Sequence, residues 1–100
     1  MARREPRLSP DAVRQLERLR ADEQRIILDG IKTHLVSGDP LAATRNKFRL
    51  RRTSDWADYE LRLVDLRVFY RVDGSKLATI MLIGRKKGNV LMVDGEEFEL

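Results

Sequence analysis

Three arginines, Arg62, Arg67 and Arg71, stand where a β-hairpin would bring them onto one face, and guanidinium groups so placed are suited to hold an anion. The segment YELRL at 59–63 alternates apolar and charged residues strictly, and LRVFYRV at 66–72 repeats the pattern after Val64-Asp65. A two-residue connection pairs Leu63 with Leu66, Arg62 with Arg67, Leu61 with Val68, Glu60 with Phe69 and Tyr59 with Tyr70. One face is then apolar and the other carries the arginines. Like charges directly opposite each other on a sheet cost up to roughly 1 kcal/mol. Arg62 facing Arg67 therefore calls for an anion between them, or for relief by Glu60 on the same face.

Other cations are clustered rather than scattered. Residues 45–52 hold five (Arg45, Lys47, Arg49, Arg51, Arg52) and no acid, and Arg85-Lys86-Lys87-Gly88-Asn89 forms a cationic turn. Residues 88–100 hold four acids (Asp94, Glu96, Glu97, Glu99) and no base, so residues 1–87 alone carry a net +8 against +4 for the whole chain. A basic body of this kind fits a phosphate-backbone partner. The alternation around Phe48 and Leu50 predicts a strand with those two in the core and Lys47, Arg49 and Arg51 on a basic face.

The elements that must position these groups are legible from local signals. Ser9 before Pro10 and Asp11 marks a helix start, followed by an apolar stripe of Ala12, Val13, Leu16 and Leu19. A second helix from about Asp22 carries Ile26, Ile27, Gly30, Ile31 and Leu35 and stops at Gly38-Asp39-Pro40. The nearly continuous apolar run 77–83 predicts a central strand. Asp94-Gly95 predicts a two-residue hairpin between 90–93 and 96–100, its carboxylates shading the basic face or orienting a partner. The expected fold is α+β: two N-terminal helices packed on a twisted, mainly antiparallel β-sheet with a C-terminal hairpin, leaving the arginine face open. One domain over residues 1–100 accommodates all of this. Without cysteine there is neither a disulfide framework nor thiolate metal ligation, and no apolar run reaches a membrane span. The expected location is cytoplasmic.

The strand pair ELRLVDLRVFYRV, the apolar strand LATIMLIG and the basic turn RKKGN, preceded by two helices and a basic segment, resemble the RelE/ParE superfamily of toxins from type II toxin-antitoxin systems. The resemblance spans most of the chain and rests on order and spacing. Likeness to the RelE branch implies ribosome-dependent cleavage of mRNA, and likeness to the ParE branch implies inhibition of DNA gyrase. Matched to RelE-type nucleases, Arg67 falls on the catalytic strand arginine, Arg62 on a strand lysine or arginine, and Arg85 or Lys86 on the basic residue after the glycine. The clustered cations Lys47, Arg49, Arg51, Arg52 and Lys87 are the candidates for RNA contact. The family's C-terminal tyrosine falls on Leu91 or Met92, neither of which can carry a proton, and Glu60 stands where a basic residue often occurs.

The implied reaction is metal-independent attack of a ribose 2′-hydroxyl on the adjacent phosphate, needing cations for charge and a group to move protons. The cations are present. Lys86, Lys87 or Glu60 could replace the missing tyrosine, whereas Tyr59 and Tyr70 fall on the helix-covered face and His34 lies alone late in the second helix. No HExxH, His/Cys cluster or phosphate-cradling glycine loop points elsewhere. The leading expectation is an mRNA endoribonuclease without cofactor or metal, partnered by an acidic antitoxin and acting with ribosome and mRNA. The alternative is a non-enzymatic gyrase inhibitor or a toxin that has lost activity.

Overall fold

The computed structural model describes residues 5–51, 54–74 and 76–100. Ser9 is extended and its hydroxyl accepts from the Ala12 amide at 3.1 Å, opening α1 (Pro10–Glu17) with Pro10 where a missing amide hydrogen is harmless. A two-turn helix then gives way to α2 (Ala21–Ile31), which continues as a π-helical turn over Lys32–Val36. Ala12, Ile27, Ile31 and Leu35 are buried against the sheet, with Leu16 and Leu19 packed at its margin. Val13 and Ile26, expected in the apolar stripes, instead face solvent. A short amphipathic helix covers the sheet with one narrow stripe, and these two positions fall at its edge.

The sheet runs β2-β3-β4-β5-β6-β7, comprising β2 (Lys47–Arg49), β3 (Tyr59–Leu63), β4 (Leu66–Val72), β5 (Ala78–Lys87), β6 (Val90–Val93) and β7 (Glu96–Glu97). β1 (Arg7–Leu8), unforeseen in the sequence, pairs with β5 in parallel, and every other pairing is antiparallel. The β3–β4 hairpin has the expected register, Arg62 opposite Arg67 and Tyr59 opposite Tyr70. Its turn places Val64 at φ 61°, a left-handed conformation unfavourable for a β-branched residue. Asp94 (φ 55°) and Gly95 (φ 78°) make the expected tight turn of the last hairpin. No helix among the described residues is long and apolar enough to cross a membrane.

The β4–β5 register shifts between Phe69 and Tyr70, with Phe69 opposite Leu82 but Tyr70 opposite Ile80, so Met81 is a bulge. The far edge of β5 is shared by β1 and β6, leaving a gap between them. The start of α1 fills it. The Ser9 amide donates to the Ile80 carbonyl (2.8 Å), the Ser9 hydroxyl to the Met81 carbonyl (2.9 Å), and the Ile83 amide donates to Gln15 Oε1 (2.7 Å).

Two apolar clusters result, one on each face. The larger lies under the helices and includes Leu61, Leu63, Leu66, Val68, Tyr70, Ile80 and Ile83. The second joins Phe69, Leu82, Leu91, Val93 and Ala57, with Leu50 and Phe98 packed against it. The arginine face, expected to be open, is instead partly covered by Leu50, Ala57 and the C-terminal hairpin. Phe69 shares that face with Arg67, and a buried phenyl ring needs apolar cover whatever its neighbours carry.

Gly30 sets how closely α2 approaches β3, because a Cβ there would stand 2.4 Å from a Leu63 methyl carbon. Gly30→Ala should lower stability by about 1–3 kcal/mol through overpacking. Urea unfolding followed by circular dichroism would measure it, and an unchanged midpoint would show that the helix layer can shift without loss.

Candidate functional site

Strand parity decides which cations meet. On β3 and β4, Glu60, Arg62, Arg67, Phe69 and Arg71 share the face away from the helices. Arg67 lies opposite Gly84 on β5, so Lys86, two residues on, joins the same face. Arg67, Lys86 and Glu60 line one depression of about 300 Å³, with Leu91 and residues of the last hairpin completing its wall.

Glu60 is the organising group there. Its Oε2 lies 2.7 Å from Arg62 Nε and 3.6 Å from Arg67 Nε, so one carboxylate bridges the two facing arginines. The side chains of Glu60 and Arg67 are each only 13% exposed, which strengthens their interaction relative to a surface pair. Arg67 Nη1 also donates to the carbonyls of Val64 (2.8 Å) and Leu66 (2.9 Å), holding the guanidinium along the hairpin turn. These contacts use Nη1 and Nε, not Nη2. Arg62 stacks over Phe48, 4.6 Å from the ring centroid. Arg71 Nη2 donates to the carbonyls of Ser54 and Asp55, tying the segment after β2 down on this face, while its Nε is buried without a hydrogen-bond partner among the described residues.

The remaining candidates lie elsewhere. Arg85 does not stand beside Arg67: it is opposite Leu66, on the helix side, and its Nη2 pairs with Glu23 while Nη1 meets Asp65 at 3.1 Å. The period of two separates neighbours on a strand, so Lys86 alone of the Arg85-Lys86 pair reaches the arginine face. The hydrogen bond it donates to Glu23 is the chief cause that raises the Arg85 pKa above its ordinary value. Lys87 lies with Arg85 around a separate depression beside Arg18.

The parity expected for β2 is inverted. Lys47 lies opposite Leu61 and is 3% exposed, its Nζ donating to the carbonyls of His34 and Asp39 at 2.6 Å each. It closes the end of the helical layer and cannot contact RNA from there. Burial lowers its pKa, an effect partly opposed by Asp39. Arg49 also points to the helix side, 5.8 Å from the Tyr59 ring centroid, whereas Phe48 joins the arginine face. Arg51 is exposed in the bend after β2, and Arg52 lies outside the described residues.

The helix-side tyrosines are structural. Tyr70 is fully buried, its hydroxyl donates to the Pro40 carbonyl (2.8 Å), and burial pushes its pKa far above the ordinary value. Tyr59 stacks on it at 5.2 Å. Leu91, one of the two positions matched to the family's tyrosine, does border the depression, while Met92 pairs with Arg85 on the other side. Glu60 and Lys86 are the titratable side chains that β3 and β5 bring to this face beside Arg67. Sequence reasoning missed Glu23 and Gln15, buried polar residues of the helices. Both sit among charged and polar neighbours in sequence, so nothing local distinguishes them. Among the described residues no three His, Cys, Asp or Glu side chains are grouped to hold a metal ion.

The family model of the ParE toxin of type II toxin-antitoxin systems matches residues 7–90. The fold is similar to that of a chain in the toxin-antitoxin complex RelBE2 from Mycobacterium tuberculosis, with TM-score 0.68, 21% identity, and coverage of 85% of this chain and 100% of that one. It is also similar to a chain in the archaeal RelE-RelB complex from Pyrococcus horikoshii, with TM-score 0.61, 22% identity, and coverage of 88% and 99%. No curated protein sequence matches the chain.

Two measurements separate structural from functional cations. Lys47→Met removes the bonds to two carbonyls and should cost about 1–3 kcal/mol of stability, with little change in oligonucleotide affinity. Weaker oligonucleotide binding with unchanged stability would return Lys47 to the ligand-contacting set. His34, half-buried, has its pKa lowered below the ordinary 6.5 by desolvation and then by the Lys47 charge. The unfolded chain therefore takes up a proton near pH 6.5 before the folded one does, and stability falls on acidification through that window. The drop in melting temperature between pH 7 and pH 5.5 should be smaller in His34→Gln than in the wild type; equal drops would show that His34 titrates alike in both states.

Proposed function

The chain belongs to the ParE toxin family of type II toxin-antitoxin systems, and on that premise we propose that it is a metal-independent endoribonuclease acting on mRNA at the ribosome. The observation that carries this reading is Glu60, a largely buried carboxylate between Arg62 and Arg67 and beside Lys86 on the wall of one depression. A proton acceptor and several cations share one face. In this reading a scissile phosphate replaces part of the arginines' contact with Glu60. Glu60 then accepts the proton of the attacking 2′-hydroxyl. Arg67 and Lys86 face the charge that grows on the non-bridging oxygens as the 2′-oxygen bonds to phosphorus. The bond to the 5′-oxygen breaks, that oxygen takes a proton from water, and a 2′,3′-cyclic phosphate remains. Arg62, held over Phe48, orients the backbone, and the exposed Arg51 contacts flanking phosphates. Arg85, neutralised by Glu23 and Asp65, braces the hairpin from behind.

The natural partner in this reading is an acidic antitoxin segment that folds on binding, as the toxin-antitoxin complexes with similar folds encourage. A second reading, gyrase inhibition through a protein surface, draws on the family model itself and on the leucine and methionine at the tyrosine positions.

Purified protein added to ribosomes programmed with a defined mRNA tests the choice. Arg67→Ala should lower the cleavage rate by on the order of a hundredfold with the fold intact, and Glu60→Gln should also be strongly impaired. Arg85→Ala should lose stability while its folded fraction still cleaves. Intact mRNA with the wild type, together with gyrase inhibition that survives the Glu60→Gln, Arg67→Ala double variant, would replace this reading with the second.

A further inference from the structure

Asp65 stands between the two residues whose carbonyls hold Arg67. Arg67 Nη1 donates to Val64 on one side of it and to Leu66 on the other, so the placement of that guanidinium follows the course of the Val64-Asp65 turn. Val64 is exposed at the hairpin tip and lends the turn no burial. A further hold comes through Asp65, from the opposite face of the sheet.

Asp65 is secured twice. Its carbonyl accepts from the Lys86 amide (2.7 Å), and its Oδ2 accepts from Arg85 Nη1 (3.1 Å). The other arm of the same guanidinium, Nη2, donates to Glu23 Oε2 on α2. Glu23 is itself fixed in the first turn of α2, its side chain only 7% exposed. Its Oε1 accepts from the Arg20 amide at 3.4 Å, and its Oε2 lies 3.5 Å from Arg20 Nη2. A planar guanidinium with a carboxylate at each Nη sets the separation and orientation of both partners. Contacts therefore run from α2 through Arg85 to the turn, and from the turn to Arg67 on the far face.

A buried ion pair is a weak source of stability, because taking the charges out of water offsets most of their attraction. What Glu23 contributes is geometry. Stabilising charge on a reacting phosphate depends on placement, and a displacement of about 1 Å that originates away from the reacting atoms can cost roughly a hundredfold in rate. Resting on the reading of the Arg67 face as a cleavage site, we propose that Glu23 and Asp65 are positioning residues. Neither reaches the substrate, and through Arg85 they fix together where the Arg67 guanidinium lies.

Asp65→Ala breaks the link at its half-exposed end, and Glu23→Gln keeps the shape of the buried end while removing its charge. With mRNA on programmed ribosomes, each should lower kcat about three- to tenfold, short of the loss expected for Arg67→Ala, and leave KM within about twofold. Because both act through one guanidinium, the double variant should fall no further than the worse single one. Asp65→Asn, which retains an oxygen for Arg85 Nη1, should recover most of the rate. The Arg67 Nε–H resonance of isotope-labelled protein, assigned by its loss in Arg67→Lys, is a readout independent of cleavage. It should move in Asp65→Ala, while that of Arg71, toward the far end of β4, stays in place. If Glu23→Gln does not fold, Asp65→Ala decides alone. An unmoved Arg67 resonance, or wild-type kcat in folded Asp65→Ala, would overturn the proposal and leave the cleavage site standing. Wild type that leaves mRNA intact, with the Arg67 resonance displaced by Asp65→Ala, would overturn the cleavage reading and retain the positioning of Arg67.

Discussion

A buried strand cannot leave amides and carbonyls without partners, and β5 meets this constraint in an unusual way. One edge is satisfied by β4, but the other is divided between β1 and β6, and the gap between them is closed by the start of α1. Ser9 and Gln15 supply the missing donor and acceptor groups there. Helix α1 is thus an extension of the sheet's hydrogen bonding as well as a cover for its apolar face. An unpaired buried amide would cost about 1–3 kcal/mol, so the position of α1 is fixed by polar chemistry before apolar packing refines it. The Met81 bulge lies in this same stretch and lets Ile80 and Ile83 both reach the helix-side cluster while Leu82 serves the other.

With the sheet so anchored, the period of two sorts the charges. Arg62, Arg67 and Lys86 fall on one side with Glu60, and Lys47, Arg49 and Arg85 on the other. The two sides use cations differently. Toward the helices each has a fixed task, Lys47 on two carbonyls and Arg85 on two carboxylates. On the far side one carboxylate serves two arginines, so that face keeps a surplus of positive charge. The apolar Phe69 among these groups needs cover, which Leu50, Ala57 and Phe98 provide, so the surface that carries the charge is also narrowed by packing.

What the sequence disclosed followed the range of the signals. The β3–β4 register, the Ser9 cap and the Asp94-Gly95 turn were legible because each depends on residues within a few positions of one another. The grouping of Arg62, Arg67 and Glu60 came with that register. Three features depend on distant partners and were not legible. Lys47 reads as a surface cation until the helix end is brought over β2. Arg85 reads as a companion of Arg67 until β5 is given its register. Trp56, Phe69 and Phe98 form a cluster only once three separate segments converge. Alternation around Phe48 was visible, but which side it faced was not, since a three-residue edge strand carries too few residues to declare its burial.

Val64, held in a left-handed conformation at the hairpin tip, ties these threads together. A β-branched residue there stores roughly 1–3 kcal/mol of backbone strain, and its carbonyl accepts from Nη1 of Arg67, whose side chain lines the depression beside Glu60. The arginine is in effect a bracket on a sprung turn. Because Nη1 also reaches the Leu66 carbonyl, the conformation of the turn and the position of the guanidinium are coupled through the same two hydrogen bonds. The residue at position 64, exposed and linked to Arg67 only through its own carbonyl, thereby shares in deciding where that guanidinium lies.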